Sequence, residues 1–205
     1  MLQLRTRIRY YSFLISLSAL VTLCLPAFAW GQTAVPELPK AKQTSLGLYV
    51  TAREAYEKWK ADPDNVMVLD VRTTEEYLFV GHASMAWNVP LVSQTYEWDA
   101  GKQYFAMKPN PGFIDQVKEL AGPTKTILVT CRSGGRSAMA VNLLAEAGFT
   151  NVYNITDGME GDAVKDPESL YNGQRLKNGW KNSGIPWTYK PNPERMRFIR
   201  NESEE

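Results

Sequence analysis

The sequence predicts a three-layer α/β domain with a central parallel sheet and helices on both faces. Short, almost continuously apolar segments alternate with segments of helical periodicity, which is typical of buried parallel strands joined by helices. The chain has 205 residues, of which 44% are hydrophobic and 22% charged, so it is long enough to bury the core of one domain. These observations predict one globular domain rather than a fibrous or disordered chain.

The first half of the predicted domain begins with a helix. In chain order, its predicted elements are helix 52–61, strand 66–71, helix 74–80 and strand 86–90. Thr51 is the expected N-cap of the first helix, because Glu54 three residues later completes a capping box. Thr74 is the expected cap of the second helix, and Pro90 ends the second strand.

The second half repeats the alternation. In chain order, its predicted segments are an irregular aromatic stretch at 91–110, helix 111–121, strand 126–130, helix 137–147 and strand 152–155. Pro111 suits a first helical turn, and Gly148 is the expected C-cap of the second helix. In parallel sheets of this kind, ligands bind beyond the carboxyl ends of the strands, so functional residues are expected there.

The first 29 residues have the pattern of a secretory signal peptide. Three arginines precede an apolar run at 13–25, and Ala27-Phe28-Ala29 places small residues where a signal peptidase cleaves. The run is short for a bilayer span, which needs about 20 residues. We therefore expect cleavage after Ala29, a periplasmic or secreted location and no stable membrane insertion of the mature chain. The alternative is an uncleaved amino-terminal anchor.

The remaining chain divides into a linker at 30–45, a domain at 46–190 and a charged flexible tail at 191–205. Loss of the three leader arginines would change the formal net charge from +1 to −2. This near-neutral balance gives no indication of a nucleic acid partner. Cys24 would leave with the leader, so the mature chain would hold one cysteine and no internal disulfide.

That remaining cysteine opens the most informative run of the chain. The run reads Cys131-Arg132-Ser133-Gly134-Gly135-Arg136-Ser137 and lies between a predicted strand and a predicted helix. The first N–H groups of the helix, its dipole and two arginines favour a thiolate, which is a nucleophile. The same groups bind oxyanions. The run predicts a cysteine nucleophile that attacks a small anionic substrate. The alternative is that Cys131 serves only to pack in the core as a small apolar residue.

Four motifs in order resemble the signature motifs of the rhodanese (sulfurtransferase) family. They are Asp70-Val71-Arg72 with Glu75-Glu76-Tyr77, Gly81-His82-Ala83 with Ala86-Trp87-Asn88-Val89-Pro90, the cysteine run, and Asn178-Gly179-Trp180-Lys181-Asn182-Ser183-Gly184-Ile185-Pro186. The resemblance spans roughly residues 50–189. It implies a rhodanese-like fold, in agreement with the fold class predicted above.

The resemblance also implies a chemistry without a cofactor. The Cys131 thiolate would take the outer sulfur of thiosulfate or a similar anionic donor, and the persulfide would pass it to cyanide, a thiol or a protein. The residues implied to bind the donor or the persulfide are Arg132, Ser133, Gly134, Gly135, Arg136 and Ser137. Asp70 and Arg72 would support the loops, with Glu75 or Glu76 as the partner of Arg72.

Three alternatives remain open at this point. Cysteine-dependent phosphatases place one residue more between cysteine and arginine than the four that separate Cys131 from Arg136, so sulfur transfer is favoured over phosphatase activity. A persulfide carrier with little turnover is the second alternative. A Cys-His pair with His82 is the third, but a single histidine does not predict a zinc site. Insertions at 93–110 and 160–177 leave the identity of the donor open.

Overall fold

The computed structural model describes residues 37–199. The strands are β1 (Tyr49–Val50), β2 (Val66–Asp70), β3 (His82–Ala83), β4 (Trp87–Asn88), β5 (Val92–Asp99), β6 (Tyr104–Pro109), β7 (Thr126–Thr130), β8 (Val152–Ile155), β9 (Asp162–Ala163), β10 (Arg175–Lys177) and β11 (Trp187–Thr188). The helices are α1 (Ala52–Ala61), α2 (Thr74–Val80), α3 (Phe113–Leu120), α4 (Gly135–Glu146) and α5 (Gly179–Asn182), with short 3-10 helices at Lys40–Lys42 and Pro193–Arg195.

Five strands form a parallel sheet in the order β1-β8-β7-β2-β4. Alternate residues of β7 enter two separate cores: Ile127 and Val129 pack with α3 and α4, whereas Leu128 packs with α1, α2 and α5. Side chains alternate across a strand, so a strand buried on both faces needs apolar residues at nearly every position. The predicted α/β fold, with a central parallel sheet and helices around it, is therefore confirmed.

Local signals predicted the elements well, with shifts at their ends. Thr51 and Glu54 form the expected capping box of α1. The cap of α2 is Thr73 rather than Thr74, because the Thr73 hydroxyl accepts from the backbone N–H of Glu76 and the Glu76 carboxylate accepts in return from Thr73. Both boxes satisfy N–H groups that have no partner within the helix.

The stretch predicted as irregular is instead a β-hairpin. Strands β5 and β6 pair antiparallel, and Trp98 contacts Phe105 edge-to-face with ring centroids 5.2 Å apart. Much of the hairpin is exposed on both faces, so it lacks the apolar alternation of a half-buried strand. The second insertion also contains a short antiparallel pair, β9 with β10.

Two segments at the ends of the domain differ from the predicted linker and flexible tail. Asn154 donates to the backbone carbonyl of Lys42 at 2.9 Å, which ties the first 3-10 helix to the sheet. Near the other end, Met196 is buried and Arg197 donates its backbone N–H to Asn88 at 2.8 Å. The predicted leader at 1–29 and the tail residues 200–205 lie outside the described residues. Within residues 37–199, every helix is too short or too polar to span a bilayer.

Candidate active site

Cys131 lies directly after β7, at the carboxyl edge of the sheet. Its side chain is buried, and its sulfur accepts the backbone N–H of Gly134 at 3.2 Å. Gly134 has φ +98°, a conformation that side chains disfavour, and a Cβ there would lie 2.3 Å from the carbonyl oxygen of Thr156. Glycine at this position therefore lets the loop turn sharply and direct an N–H group at the sulfur.

A second strand supports the sulfur from the side. The Ser137 hydroxyl lies 3.4 Å from the Cys131 sulfur and 2.7 Å from Oδ1 of Asn154, which belongs to β8. The amide of Asn154 donates to the carbonyl oxygen of Gly134 at 3.1 Å. Sequence reasoning missed Asn154, although a lone polar residue within the apolar strand 152–155 was a signal for a buried polar contact.

The loop rests on the segment that follows β8. Met159 donates its N–H to the carbonyl oxygen of Cys131 at 2.7 Å, and Glu160 donates to that of Arg132 at 2.9 Å. A Cβ on Gly158 would lie 2.6 Å from the same Cys131 oxygen. Backbone contact this close holds the position of the cysteine loop without any side chain.

Asp157, within that segment, joins two helix starts. Its carboxylate accepts the backbone N–H of Ala52 in α1 and of Gly179 in α5, each at 2.8 Å. A carboxylate at a helix N-terminus accepts from N–H groups that have no partner within the helix, and its negative charge is stabilised by the positive end of the helix dipole. Burial raises the pKa of Asp157 above its ordinary value, although these two donors act in the opposite direction.

The two arginines of the loop have different environments. Arg132 is exposed, whereas Arg136 forms a bidentate pair with Glu76, with both N–O distances at 2.6 Å. Burial alone would raise the pKa of Glu76, but the hydrogen bonds and charge of Arg136 hold that pKa below its ordinary value. Much of the positive charge expected to bind a donor at Arg136 is therefore neutralised within the protein.

The Glu76 pair leads to a prediction for pH-dependent stability. Glu76→Gln keeps the capping-box geometry but removes the charge, and we expect a loss of about 1.5–3 kcal/mol of unfolding free energy at pH 7. Because the folded pKa of Glu76 is lowered, its contribution is complete above the unfolded value near 4.5 and declines as the pH falls below it. Urea unfolding at pH 7 and in a series down to about pH 3 measures both effects.

The neighbouring exposed Glu75 provides the matched control, since Glu75→Gln makes the same chemical change beside the pair. Equal losses in the two variants, or a Glu76→Gln loss that stays constant between pH 7 and about pH 3, would contradict a specific contribution from the ion pair.

The supporting pair predicted at Asp70 and Arg72 is present and completely buried. Arg72 donates from Nη2 to Asp70 at 2.6 Å and to the carbonyl oxygen of Gly81 at 2.8 Å. The prediction that Glu75 or Glu76 pairs with Arg72 was wrong. Asp70, two residues before Arg72, accepts hydrogen bonds from the guanidinium instead. Burial opposes the charge of Arg72, but Asp70 holds the arginine pKa above its ordinary value.

His82 does not belong to the cysteine site. Its ring stacks on Tyr77 with centroids 3.7 Å apart, and Nδ1 lies 3.0 Å from the carbonyl oxygen of Tyr77. Tyr77 packs in the core on one face of the sheet and Cys131 in the core on the other, so a Cys-His pair is not formed. Burial lowers the pKa of His82. No cluster of three or more metal-ligating residues occurs within residues 37–199.

The first insertion begins close to this edge of the sheet. The base of its hairpin contributes Val92 and Ser93 to a cavity of about 260 Å³ that also contacts Thr74 and Glu75 of α2. This cavity does not include Cys131. The exposed aromatic residues of the hairpin are Tyr96, Trp98, Tyr104 and Phe105. The hairpin therefore presents exposed aromatic side chains, and its base lines a cavity beside α2.

Comparison with known proteins identifies relatives of this domain. The family profile of the rhodanese-like domain matches residues 51–163. Thiosulfate sulfurtransferase 16 from the chloroplast of Arabidopsis thaliana is 42% identical over 90 residues, which cover 44% of this chain and 68% of that protein. An uncharacterized protein of Rickettsia conorii is 33% identical over 128 residues, covering 62% of this chain and 85% of its own length.

A solved structure agrees with the sequence matches. The crystal structure of Rv0390 from M. tuberculosis superposes with a TM-score of 0.54 and 27% sequence identity, over 69% of this chain and 96% of that chain. The similarity therefore extends over the domain that carries the cysteine loop.

Proposed function

The chain belongs to the rhodanese-like domain family, and on that premise we propose that it is a sulfurtransferase that acts through a persulfide on Cys131. The observation that carries the proposal is the placement of the Cys131 sulfur. It lies at the carboxyl edge of a parallel sheet, in a loop whose Gly134 N–H is directed at it from 3.2 Å. A sulfur in this setting is held for nucleophilic attack, and an N–H donor suits a sulfur that carries negative charge.

The proposed first step is attack on a sulfane sulfur. The Cys131 thiolate forms a bond to the outer sulfur of thiosulfate. The bond between the two sulfur atoms of thiosulfate breaks, and sulfite leaves with the electron pair. Cys131 then carries a persulfide with one negative charge. Exposed Arg132 attracts the donor anion, while Arg136, paired with Glu76, holds the loop in place.

The second step restores the enzyme. A nucleophilic acceptor attacks the terminal sulfur, and the bond between the two sulfurs of the persulfide breaks. The electron pair returns to Cys131 as a thiolate. Cyanide would yield thiocyanate, and a thiol would yield a new persulfide. Because donor and acceptor react in separate steps at one sulfur, the kinetics should be ping-pong.

Intact mass spectrometry tests this proposal directly. Incubation with thiosulfate should add one sulfur, roughly 32 Da, and a thiol should remove it. Mercaptopyruvate and an aryl phosphate are tested separately as alternative substrates. A sulfur adduct from mercaptopyruvate alone would reassign the donor, and phosphate release without any sulfur adduct would favour a phosphatase. An adduct that forms without transfer to cyanide would favour a persulfide carrier.

We also propose that the protein is exported after cleavage of residues 1–29. The support is the arginine-led apolar run followed by Ala27-Phe28-Ala29. Expression in a bacterium with a Sec pathway, followed by amino-terminal sequencing of the exported protein, should find Trp30 as the first residue. An exported protein that retains Met1 would indicate an uncleaved anchor instead.

A further inference from the structure

A buried chain of polar atoms connects the Cys131 sulfur to the interior of the domain. The Ser137 oxygen lies 3.4 Å from the sulfur and 2.7 Å from Oδ1 of Asn154. Both Ser137 and Asn154 are completely buried, so water does not compete freely for their hydrogen bonds. The direction of the protons along this chain therefore depends on the protein groups that surround it.

The orientation of the Asn154 amide follows from its other contacts. The amide nitrogen lies 2.9 Å from the carbonyl oxygen of Lys42 and 3.1 Å from that of Gly134. An amide nitrogen can donate two protons, and here one proton goes to each of the two carbonyl oxygens. The flipped amide would place its oxygen against these two carbonyl oxygens with no proton between them. The oxygen of the amide must therefore face Ser137.

The Ser137 hydroxyl has one proton for two neighbours. Asn154 offers an amide oxygen at 2.7 Å, an ordinary hydrogen-bond length, whereas the Cys131 sulfur is a weaker acceptor at 3.4 Å. The proton accordingly points toward Asn154. A lone pair of the hydroxyl oxygen then faces the sulfur, where it can accept the proton of a thiol.

We propose that Asn154 is a positioning residue that holds the Ser137 hydroxyl as an acceptor of the Cys131 thiol proton. When the thiol ionises, its proton passes to a solvent base such as hydroxide, which becomes water. The hydroxyl must then break its bond to Asn154 before it can donate to the thiolate. Asn154 thus restrains ionisation of the resting cysteine. The Gly134 N–H still donates to the sulfur once the thiolate has formed. The consequence for catalysis rests on the proposed sulfurtransferase function.

Charged groups around the loop also influence the cysteine. They are Arg132, Arg136 with its partner Glu76, the Asp70–Arg72 pair, Lys42 beside Gly134, and Asp157 and Glu160 beneath the loop. All of them are retained in the variants described below, so their influence is common to every measurement.

The first test is the pH profile of Cys131 alkylation by iodoacetamide, followed by intact mass. Asn154→Ala frees the Ser137 proton for the thiolate, so the midpoint should fall by about half to one pH unit, the equivalent of one hydrogen bond. In a Ser137→Ala background the same substitution should cause no shift. Asn151 lies directly before β8 and donates to the Thr126 hydroxyl, so Asn151→Ala is the matched control and should leave the profile unchanged.

The second test uses Ser137→Ala alone and does not require the Asn154 variant to fold. If Ser137 accepts from the thiol and so restrains its ionisation, removal of the hydroxyl should lower the midpoint, and an unchanged midpoint would contradict the proposed restraint. If Ser137 instead donates to the thiolate, the midpoint should rise by about one pH unit, and that result would overturn the proposal. A fall caused by Asn154→Ala that persists without Ser137 would also overturn it. Alkylation needs no sulfur donor, so these outcomes are independent of turnover.

Discussion

Cys131→Ser is expected to reduce sulfur transfer from thiosulfate to cyanide by more than about a thousandfold, to the rate of the uncatalysed reaction. A serine hydroxyl is a far weaker nucleophile toward sulfur than a thiolate, and it forms no persulfide. The roughly 32 Da adduct should be absent from the variant after incubation with thiosulfate. Thiocyanate formation and intact mass measure the two losses separately.

The substitution should leave the fold intact, because serine is similar in size and Cys131 lies in a loop held by backbone bonds from Met159 and Glu160. Circular dichroism and the thermal midpoint provide this control. Turnover that survives in a folded Cys131→Ser protein would rule out the persulfide mechanism, whatever the donor.

Asp70→Ala is expected to lower the free energy of unfolding by about 3–5 kcal/mol. The substitution leaves the Arg72 guanidinium completely buried with its carboxylate partner removed and with the carbonyl oxygen of Gly81 as a remaining contact. A buried charge without its counterion is among the most destabilising changes in a domain of this size. Urea denaturation of both proteins at pH 7 measures the difference.

Two further variants make this prediction specific. Asp99→Ala removes the acid of a surface ion pair with Lys102 together with one hydrogen bond to the Lys102 backbone N–H, and should lower the free energy of unfolding by no more than about 1 kcal/mol. Asp70→Leu combined with Arg72→Met removes both charges and should recover part of the stability that Asp70→Ala loses. If Asp70→Ala were as mild as Asp99→Ala, the pair would not be a structural support of the site.

Local sequence patterns were sufficient where neighbouring residues decide the structure. The box at Thr51 and Glu54 starts α1 because its two hydrogen bonds span three residues. The continuous apolar character of 126–130 matches β7, and the glycines after Cys131 match a loop that turns at Gly134. The same reasoning applied to 73–76 would have found the correct cap of α2, since Glu76 is three residues after Thr73.

The sequence pattern was insufficient where partners are distant along the chain. Glu76 meets Arg136 across 60 residues, and Asn154 meets Lys42 across 112. A sequence motif shows that an arginine is present in the loop but not which carboxylate will neutralise it. The hairpin at 92–109 was missed for a related reason: its strands pair with each other instead of burying one face.

The sequence by itself determined the fold class, the placement of Cys131 after a buried strand and the family to which the domain belongs. Each of these depends on short-range periodicity, capping or motif spacing, which are properties of adjacent residues. Only the tertiary structure decided that Arg136 is paired and Arg132 exposed, and that Ser137 faces Asn154. The physical reason is that hydrogen-bond and charge partners in a parallel sheet are set by which strands and helices become neighbours. Those neighbours are far apart in the chain.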